Sequence, residues 1–202
     1  MVNINNVYQS VLVITNKDNR GYITPDEFNR LAEQAQNEIF ASYFAREAGY
    51  ELNAFLTSDF SDPNTYLAEK ISVFYKELAL TKLNNEFTYP DNLYRVGVVS
   101  VDDIVADRAS NEEIKYINLS PLTAPVKKQP VYTLTDSGVV VYPSTITTGV
   151  KLDYLKQPVR PKWGYVSNGT IPYYDPTVFD PDNDSYDVAA KSYNFELHPS
   201  EE

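Results

Sequence analysis

Alternating carboxylates near the C-terminus are the residues best placed to hold a metal ion. Asp180, Asp182 and Asp184 form an Asp-x-Asp-x-Asp run. Calcium takes about six to eight oxygen ligands, and a backbone that curls around the ion can bring alternating carboxylates together. An EF-hand loop, however, needs glycine and glutamate where this chain has Ser185 and Lys191. The run is therefore typical of a solvated acidic loop, and calcium binding is the alternative.

A second calcium-like pattern runs from Asn16 to Glu27, but its residue types favour the start of a helix. The fifth position of an EF-hand loop carries an oxygen ligand, and here that position is Arg20, a cation. Thr24 can cap a helix, Pro25 suits its first position, and Glu27 can complete a capping box with Thr24. We therefore predict a polar turn followed by a capped helix.

The sequence contains no arrangement that is typical of an enzyme. The absence of cysteine excludes disulfides, thiolate nucleophiles and Cys-ligated zinc. The single histidine, His198, lies near the end of the chain, and neither a Gly-x-Ser-x-Gly elbow nor a glycine-rich phosphate loop is present. A hydrolase with paired acids ranks last among the alternatives, although 28 acidic residues allow many pairings. We predict a non-enzymatic protein without a cofactor.

The composition argues against an electrostatic grip on nucleic acid. The formal net charge of the 202 residues is −11, whereas binding to DNA requires a clustered basic surface. The chain contains 17 Tyr and 9 Phe. Tyrosine suits protein interfaces and is equally favoured in strands. The N-terminus lacks the pattern of a signal peptide, and no apolar run reaches membrane-spanning length, so we predict a protein made inside a cell.

Residues 1–88 are predicted to form a helical segment. A short helix over residues 5–15 precedes a long one from about Pro25 to Ala48, and a third runs from residues 62–64 to 85. Apolar residues of the long helix recur at spacings of three and four, which predicts one continuous buried face. Its members are Phe28, Leu31, Ala32, Ala35, Ile39 and Tyr43, and Phe40 and Phe44 widen it.

Residues 89–157 are predicted to form an antiparallel β domain. Runs rich in β-branched residues predict short strands, and a glycine-containing turn joins two of them in a hairpin. These runs cover residues 93–101, 114–119, 131–135, 139–142 and 150–156. Together with the helices they predict an α+β fold, in which an N-terminal helical hairpin or three-helix segment precedes a small antiparallel β-sheet or barrel with extended arms.

Residues 158–202 are predicted to form an extended arm and tail rich in Pro, Asp and Tyr. Prolines 158 and 161 remove strand hydrogen-bond donors, and segments of this composition often become ordered only against a partner. Aromatic residues of the long helix and of this arm are our interface candidates. They are Phe40, Phe44, Trp163, Tyr165, Tyr173 and Tyr174.

Several stretches of the chain resemble a family of structural proteins from crAss-like and related tailed phages of Bacteroidetes. The resemblance rests on four stretches, whereas the predicted sheet carries no distinctive motif. The four stretches are residues 3–12, the Asn-Lys and Gly-Tyr-Ile-Thr-Pro-Asp-Glu-Phe-Asn segments within residues 16–29, the arm over residues 158–165, and the tail over residues 195–202.

The resemblance implies a virion protein of the portal vertex, made in the host bacterial cytoplasm. Such a protein would be a homo-oligomeric ring, or head-to-tail connector, that contacts the portal and other connector or tail proteins and lets DNA pass through its lumen. We expect the N-terminal helices and the arm to form the contacts between subunits. Alanine at Trp163 and Tyr165 should then weaken ring assembly without unfolding the domain. The alternative function is a calcium-ordered or carbohydrate-binding β module with a helical attachment domain.

Overall fold

Three helices precede a series of short strands, which confirms the predicted α+β fold. The structure, a computed structural model, describes residues 1–17, 23–47, 63–167, 169, 172–182, 184–186 and 189–201. The helices are α1 (Ile4–Lys17), α2 (Pro25–Glu47), α3 (Pro63–Ser72) and α4 (Glu113–Ile117). The strands are β1 (Tyr75–Ala79), β2 (Lys82–Leu83), β3 (Glu86–Thr88), β4 (Leu93–Val101), β5 (Ile104–Val105), β6 (Asp107–Arg108), β7 (Val131–Leu134), β8 (Gly138–Tyr142), β9 (Val150–Lys156), β10 (Tyr165–Ser167) and β11 (Pro172–Tyr174).

The long helix α2 begins as the sequence predicts. The Thr24 N–H donates to Glu27 Oε2 (2.9 Å), and the Glu27 N–H donates to Thr24 Oγ1 (3.3 Å). This reciprocal pair is the predicted capping box. The hydrogen bonds from the backbone and side chain of Thr24 hold the pKa of the Glu27 carboxyl below its ordinary value. Residues 18–22 of the predicted polar turn lie outside the described residues.

The buried face of α2 is rotated relative to the predicted face. Leu31, a predicted member, is 56% exposed. The residues that are buried recur at spacings of four and three, and they are Phe28, Ala32, Gln36, Phe40 and Tyr43. A buried glutamine therefore occupies the centre of this face. Apolar periodicity could not identify it, because the method scores only apolar residues.

Two predicted secondary structures are wrong. The third helix, predicted to run to residue 85, ends at Ser72, and the rest of the helical segment predicted over residues 1–88 contributes β1, β2 and β3. Pairing of all five residues of β1 with β9 overrides the local helical pattern. Residues 114–119, predicted as a strand, lie mostly in α4. Ser110 and Glu113 exchange N–H hydrogen bonds of 2.7 and 3.2 Å, a capping box that starts this helix.

The chain divides into two compact units, and the second unit comprises residues 74–157. It begins before the predicted boundary at residue 89, because β1 to β3 belong to its sheets. One sheet has the order β1-β9-β4-β5 with antiparallel pairs, and the other has the order β2-β3-β8-β7-β6, whose β6–β7 pair is parallel. The antiparallel β7–β8 pair is the predicted hairpin.

The core of the second unit is built from aliphatic and aromatic residues of both sheets. Val99 and Leu152 of one sheet and Val139 and Phe87 of the other are fully buried within one cluster. Gly138 allows β3 to approach, because a Cβ there would lie 2.2 Å from the Phe87 carbonyl oxygen. Alternating buried residues of the strands thus form the core that β-sheet packing requires.

The first unit comprises residues 1–73 and 158–202. The described residues of the predicted arm therefore pack with the helices, which corrects the expectation that the arm orders only against a partner. The Phe195 N–H donates to the Val2 carbonyl oxygen (3.2 Å), and Lys70 of α3 pairs with Glu201 of the final 3-10 turn. Within the described ranges, no helix is both long and apolar enough to span a lipid bilayer.

Candidate functional site

Trp163, predicted to lie at an interface, is the aromatic centre of the first unit. Its side chain is only 2% exposed. The indole packs against the tilted ring of Tyr8 of α1 at a centroid distance of 4.1 Å, and the rings of Tyr165 and Tyr174 each lie 6.0 Å away. The indole N–H donates to Asn5 Oδ1 (3.1 Å). The aromatic surface of Trp163 is therefore packed, and its one polar side-chain atom is hydrogen-bonded, inside the unit.

Two amide side chains of α2 hold the arm by its backbone. Asn29 Oδ1 accepts from the Trp163 N–H (2.7 Å), and Asn29 Nδ2 donates to the Trp163 carbonyl oxygen (3.2 Å). Gln36 Nε2 donates to the Val159 carbonyl oxygen (2.7 Å), and Gln36 Oε1 accepts from the Glu196 N–H (2.9 Å). We call this pair of side chains the amide clamp. Each amide replaces the backbone partners that a strand would otherwise provide.

The amide clamp is the feature that the sequence interpretation missed. Asn29 and Gln36 are seven residues apart, so they lie on the same side of α2 as Phe28, Ala32 and Phe40. Gln36 is 1% exposed, and both of its amide atoms are bonded. Polar residues at heptad spacing on an apolar face are the signal that could have identified the clamp.

The arm also pairs with the chain that follows it. The Lys162 N–H donates to the Tyr193 carbonyl oxygen (2.9 Å), and the Tyr193 N–H donates back to Lys162 (2.7 Å). The Gly164 N–H donates to Ser192 Oγ (2.9 Å), and a Cβ at Gly164 would lie 2.2 Å from the Lys191 carbonyl oxygen. Glycine is therefore required for this close approach.

A buried carboxylate completes this arrangement. Glu196 is 2% exposed, and its Oε2 accepts from the Val159 N–H (2.9 Å) while its Oε1 accepts from the Tyr193 hydroxyl (2.8 Å). Burial, together with this bond to Glu196, raises the pKa of Tyr193 well above its ordinary value. Tyr193 therefore remains a neutral donor throughout the physiological pH range.

The interface predictions at Phe40 and Trp163 require correction. Both side chains are buried inside this chain, where they contribute to its core. Phe44, Tyr165 and Tyr174 are half-buried, and Phe44 packs edge-on against Phe40 at a centroid distance of 5.1 Å. Tyr173 of β11 is 58% exposed. Among the candidates, Tyr173 is thus the side chain that solvent or a partner can reach most fully.

The aspartate run forms a loop that its own carboxylates close. Asp184 Oδ2 accepts from the Asp180 N–H (2.8 Å), Asp180 Oδ1 accepts from the Asp182 N–H (3.1 Å), and Lys191 Nζ donates to Asp184 Oδ1 (2.5 Å). The bond from Lys191 lowers the pKa of Asp184. Among the described residues, which leave out Asn183 and Asp187, no group of three or more acidic or histidine side chains is arranged to hold a metal ion.

A polar cleft of about 500 Å³ lies between α2 and the arm. Arg160 Nε donates to Glu33 Oε1 (2.8 Å), and Lys162 Nζ donates to the Tyr186 carbonyl oxygen (3.0 Å). Lys162 Nζ also lies 4.8 Å from the centre of the Phe179 ring. Arg160 and Lys162 therefore already bind groups of the cleft wall, and these contacts hold the arm in place.

His198 has a local structural role. Its Nδ1 lies 2.9 Å from Ser200 Oγ and accepts from the Ser200 N–H (3.3 Å). His198 directly precedes the final 3-10 turn, which contains Ser200, so the bond is local to this turn. The contact between His198 and Ser200 resembles a turn motif more than a catalytic nucleophile with its base, because the Ser200 N–H already donates to His198 Nδ1.

A loop of the second unit exposes large apolar side chains. We call residues 116–126 the apolar loop. Its exposed members range from 53% to 94% exposed and are Tyr116, Leu119, Leu122 and Val126. The backbone beneath them is folded, because the Leu119 N–H donates to the Tyr116 carbonyl oxygen (3.1 Å) and Thr123 Oγ1 donates to that of Ile117 (2.8 Å). Such apolar exposure marks protein interaction sites.

The sequence comparisons with protein families and with curated proteins identify no relative. No family model matches the chain, and no curated protein shows significant similarity to it. Function must therefore be argued from the surfaces and contacts described above.

Proposed function

We propose that this protein is a non-enzymatic structural component of a tailed-phage virion, a ring-forming head-to-tail connector at the portal vertex. Its partners would be further copies of the same chain, the portal, and other connector or tail proteins. It would be made in the host bacterial cytoplasm and incorporated into particles. This proposal takes up the resemblance of both ends of the chain to phage structural proteins.

The observation that carries the proposal is the apolar loop. Leu122 is 94% exposed, although Pro121 and Pro125 restrict the backbone on either side of it. A restricted loop loses little conformational entropy when a partner covers it. Exposed apolar side chains on such a framework suit a protein that functions by assembling with others.

The charge of the chain supports the passage of DNA through a ring. A net charge of −11 repels the phosphate backbone, so a lumen lined by acidic residues would reduce friction during genome ejection. The proposal therefore includes an acidic lumen without sequence-specific contacts to DNA. A lumen lined by lysine and arginine would contradict this part of it.

The experiment that tests the proposal is mass spectrometry of purified virions. Peptides of this protein should be present at a modest, fixed copy number relative to the major capsid protein in successive gradient fractions. Abundant host proteins provide the control for contamination, because their ratio to capsid protein should fall with purification. Absence of the protein from clean particles would overturn the proposal, whereas its presence would direct imaging to the portal vertex.

A further inference from the structure

The outer face of the four-stranded sheet is a second exposed surface of the second unit. Register places Tyr75 of β1 beside Leu155 of β9, and Val105 of β5 beside Ser100 of β4. Val98 lies in a bulge of β4, where the register shifts between Val96 and Val99. The exposed apolar members of this face are Tyr75, Val98 and Val105.

Carboxylates surround these apolar side chains. Glu77 of β1 and Asp153 of β9 stand directly opposite each other, an arrangement of like charges that destabilises a strand pair. Lys151 Nζ lies 3.4 Å from Glu77 Oε1 and 2.9 Å from Asp103 Oδ1. These two carboxylates raise the pKa of Lys151, which therefore stays charged. Counting the neighbouring Asp102, the face carries four carboxylates and two cations, namely Glu77, Asp102, Asp103 and Asp153 against Arg95 and Lys151.

Lysines flank the apolar loop, which itself contains no charged residue. Residues 114–135 contain Lys115, Lys127 and Lys128 and no acidic residue, in a chain whose net charge is −11. All three lysines are exposed. Lys127 and Lys128 form the tip of a tight turn closed by the Gln129 N–H, which donates to the Val126 carbonyl oxygen (2.9 Å). Basic groups thus flank the exposed apolar side chains of the loop.

We propose that the apolar loop of one copy binds the outer face of the four-stranded sheet of the next copy. The two surfaces lie on different parts of the same unit. The loop lies between β6 and β7 of the five-stranded sheet, whereas the face is formed by β1, β9, β4 and β5. A contact between two different surfaces of identical chains is heterologous, and its repetition closes a ring or extends a filament. The inference rests on the proposed function, and it names the surfaces through which the ring forms.

The first test compares the oligomeric state of variants of the full chain. The double variant Leu119→Ser, Leu122→Ser should need at least about tenfold higher concentration to assemble, because apolar anchors dominate interface affinity. Leu31→Ser is the matched control, because Leu31 is likewise exposed but belongs to α2 of the first unit. Native mass spectrometry gives the subunit number, and circular dichroism verifies that each variant is folded.

The second test uses the absence of cysteine from the chain. One preparation carries Leu119→Cys and a second, with a different tag, carries Tyr75→Cys, and a short bismaleimide is added to the mixture. The contact predicts a cross-linked product that contains both tags, and a double variant should give a ladder of covalent oligomers. A preparation with one of the cysteines alone should give little product.

The outcomes separate the two proposals. If the wild-type chain stays monomeric at every concentration, self-assembly fails and the contact fails with it. If the wild-type chain assembles but the loop variant assembles equally well and no product with both tags appears, the loop-to-sheet contact alone is overturned. Loss of assembly in the loop variant, normal assembly of Leu31→Ser and the mixed cross-link together support the contact.

Discussion

The two units satisfy their backbone polar groups in different ways. In the second unit, strands bond to strands, and the four-stranded and five-stranded sheets enclose an apolar core. In the first unit, side chains of α2 and the arm provide many of the partners, as Asn29, Gln36 and Glu196 show. The bonds of the amide clamp connect residues separated by 123, 134 and 160 positions.

This difference determines how each unit responds to substitution. A sheet distributes its hydrogen bonds over many equivalent pairs, so its sensitive positions are the apolar side chains of the core. An arm held by a few amides and one indole depends on those individual side chains, because an unpaired buried polar group is costly.

Truncation of Trp163 should produce the largest loss. Trp163→Ala removes an indole that contacts Tyr8 and is 2% exposed, so we expect the free energy of unfolding to fall by about 3–5 kcal/mol. Urea unfolding followed by circular dichroism measures the change. Tyr173→Ala, at an exposed aromatic residue of the same unit, should stay within about 0.5 kcal/mol. Equal effects of the two substitutions would contradict the core role of Trp163.

Truncation of Leu152 tests the sheet core in the same way. Leu152→Ala should lower the free energy of unfolding by about 2–5 kcal/mol, because the side chain is fully buried. Leu83→Ala in β2 is the control, since Leu83 is 60% exposed. Amide hydrogen exchange should lose protection chiefly in β4 and β9 for Leu152→Ala, and chiefly in residues 158–165 for Trp163→Ala. The same pattern of loss in both variants would remove the contrast between the units.

The sheet unit was the more predictable of the two. Its β7–β8 hairpin and the strand at residues 150–156 follow from alternation and a glycine-containing turn, which are local signals. The third helix is predicted to run to residue 85 because β1 acquires its strand structure only by pairing with β9, 72 to 80 positions later. The apolar loop begins in the last turn of the short helix α4, whose capping signal at Ser110 and Glu113 competes with the β-branched residues that predict a strand.

The candidate sites of the first unit could not be predicted for a related reason. Their residue types indicate that Trp163 and Phe40 offer large apolar surfaces for contact. Only the tertiary structure shows that this chain itself covers those surfaces. The aspartate run likewise provides carboxylates whose use depends on Lys191, which folds back onto Asp184. Local patterns identify side-chain chemistry, whereas the partner of each side chain is chosen by contacts between distant residues.

Replacement of Gln36 tests the amide clamp directly. Gln36→Leu keeps the size of the side chain but leaves the Val159 carbonyl and the Glu196 N–H without this partner, so we expect a loss of about 1–3 kcal/mol. Gln34→Leu is the matched control, because Gln34 is exposed and bonds only to its helix neighbour Glu38 among the contacts described. A neutral effect of Gln36→Leu would show that apolar packing alone retains the arm.

The two capping boxes should respond alike, because capping is local. Thr24→Ala in the first unit and Ser110→Ala in the second each remove the hydroxyl oxygen that accepts one bond of the box, and we expect each to lower the free energy of unfolding by about 1 kcal/mol. Thr147→Ala, at an exposed loop threonine, provides the baseline. A much larger loss for one box would mean that its helix start also supports its unit by other contacts.

Acid should weaken both capping boxes. Bonds from Thr24 and Ser110 lower the pKa values of Glu27 and Glu113. A carboxyl whose pKa is lowered in the folded state stabilises that state above its unfolded pKa, about 4.3, and this contribution disappears as pH falls through the folded pKa. Glutamine can accept the same bond but does not titrate. Stability profiles of wild type and of Glu27→Gln, Glu113→Gln between neutral and strongly acidic pH should therefore converge at low pH. Glu112→Gln is the control, because the Glu112 side chain makes no capping bond, and it should leave the profile unchanged. A constant difference between wild type and the double variant at every pH would contradict a stabilising role for the ionised forms of Glu27 and Glu113.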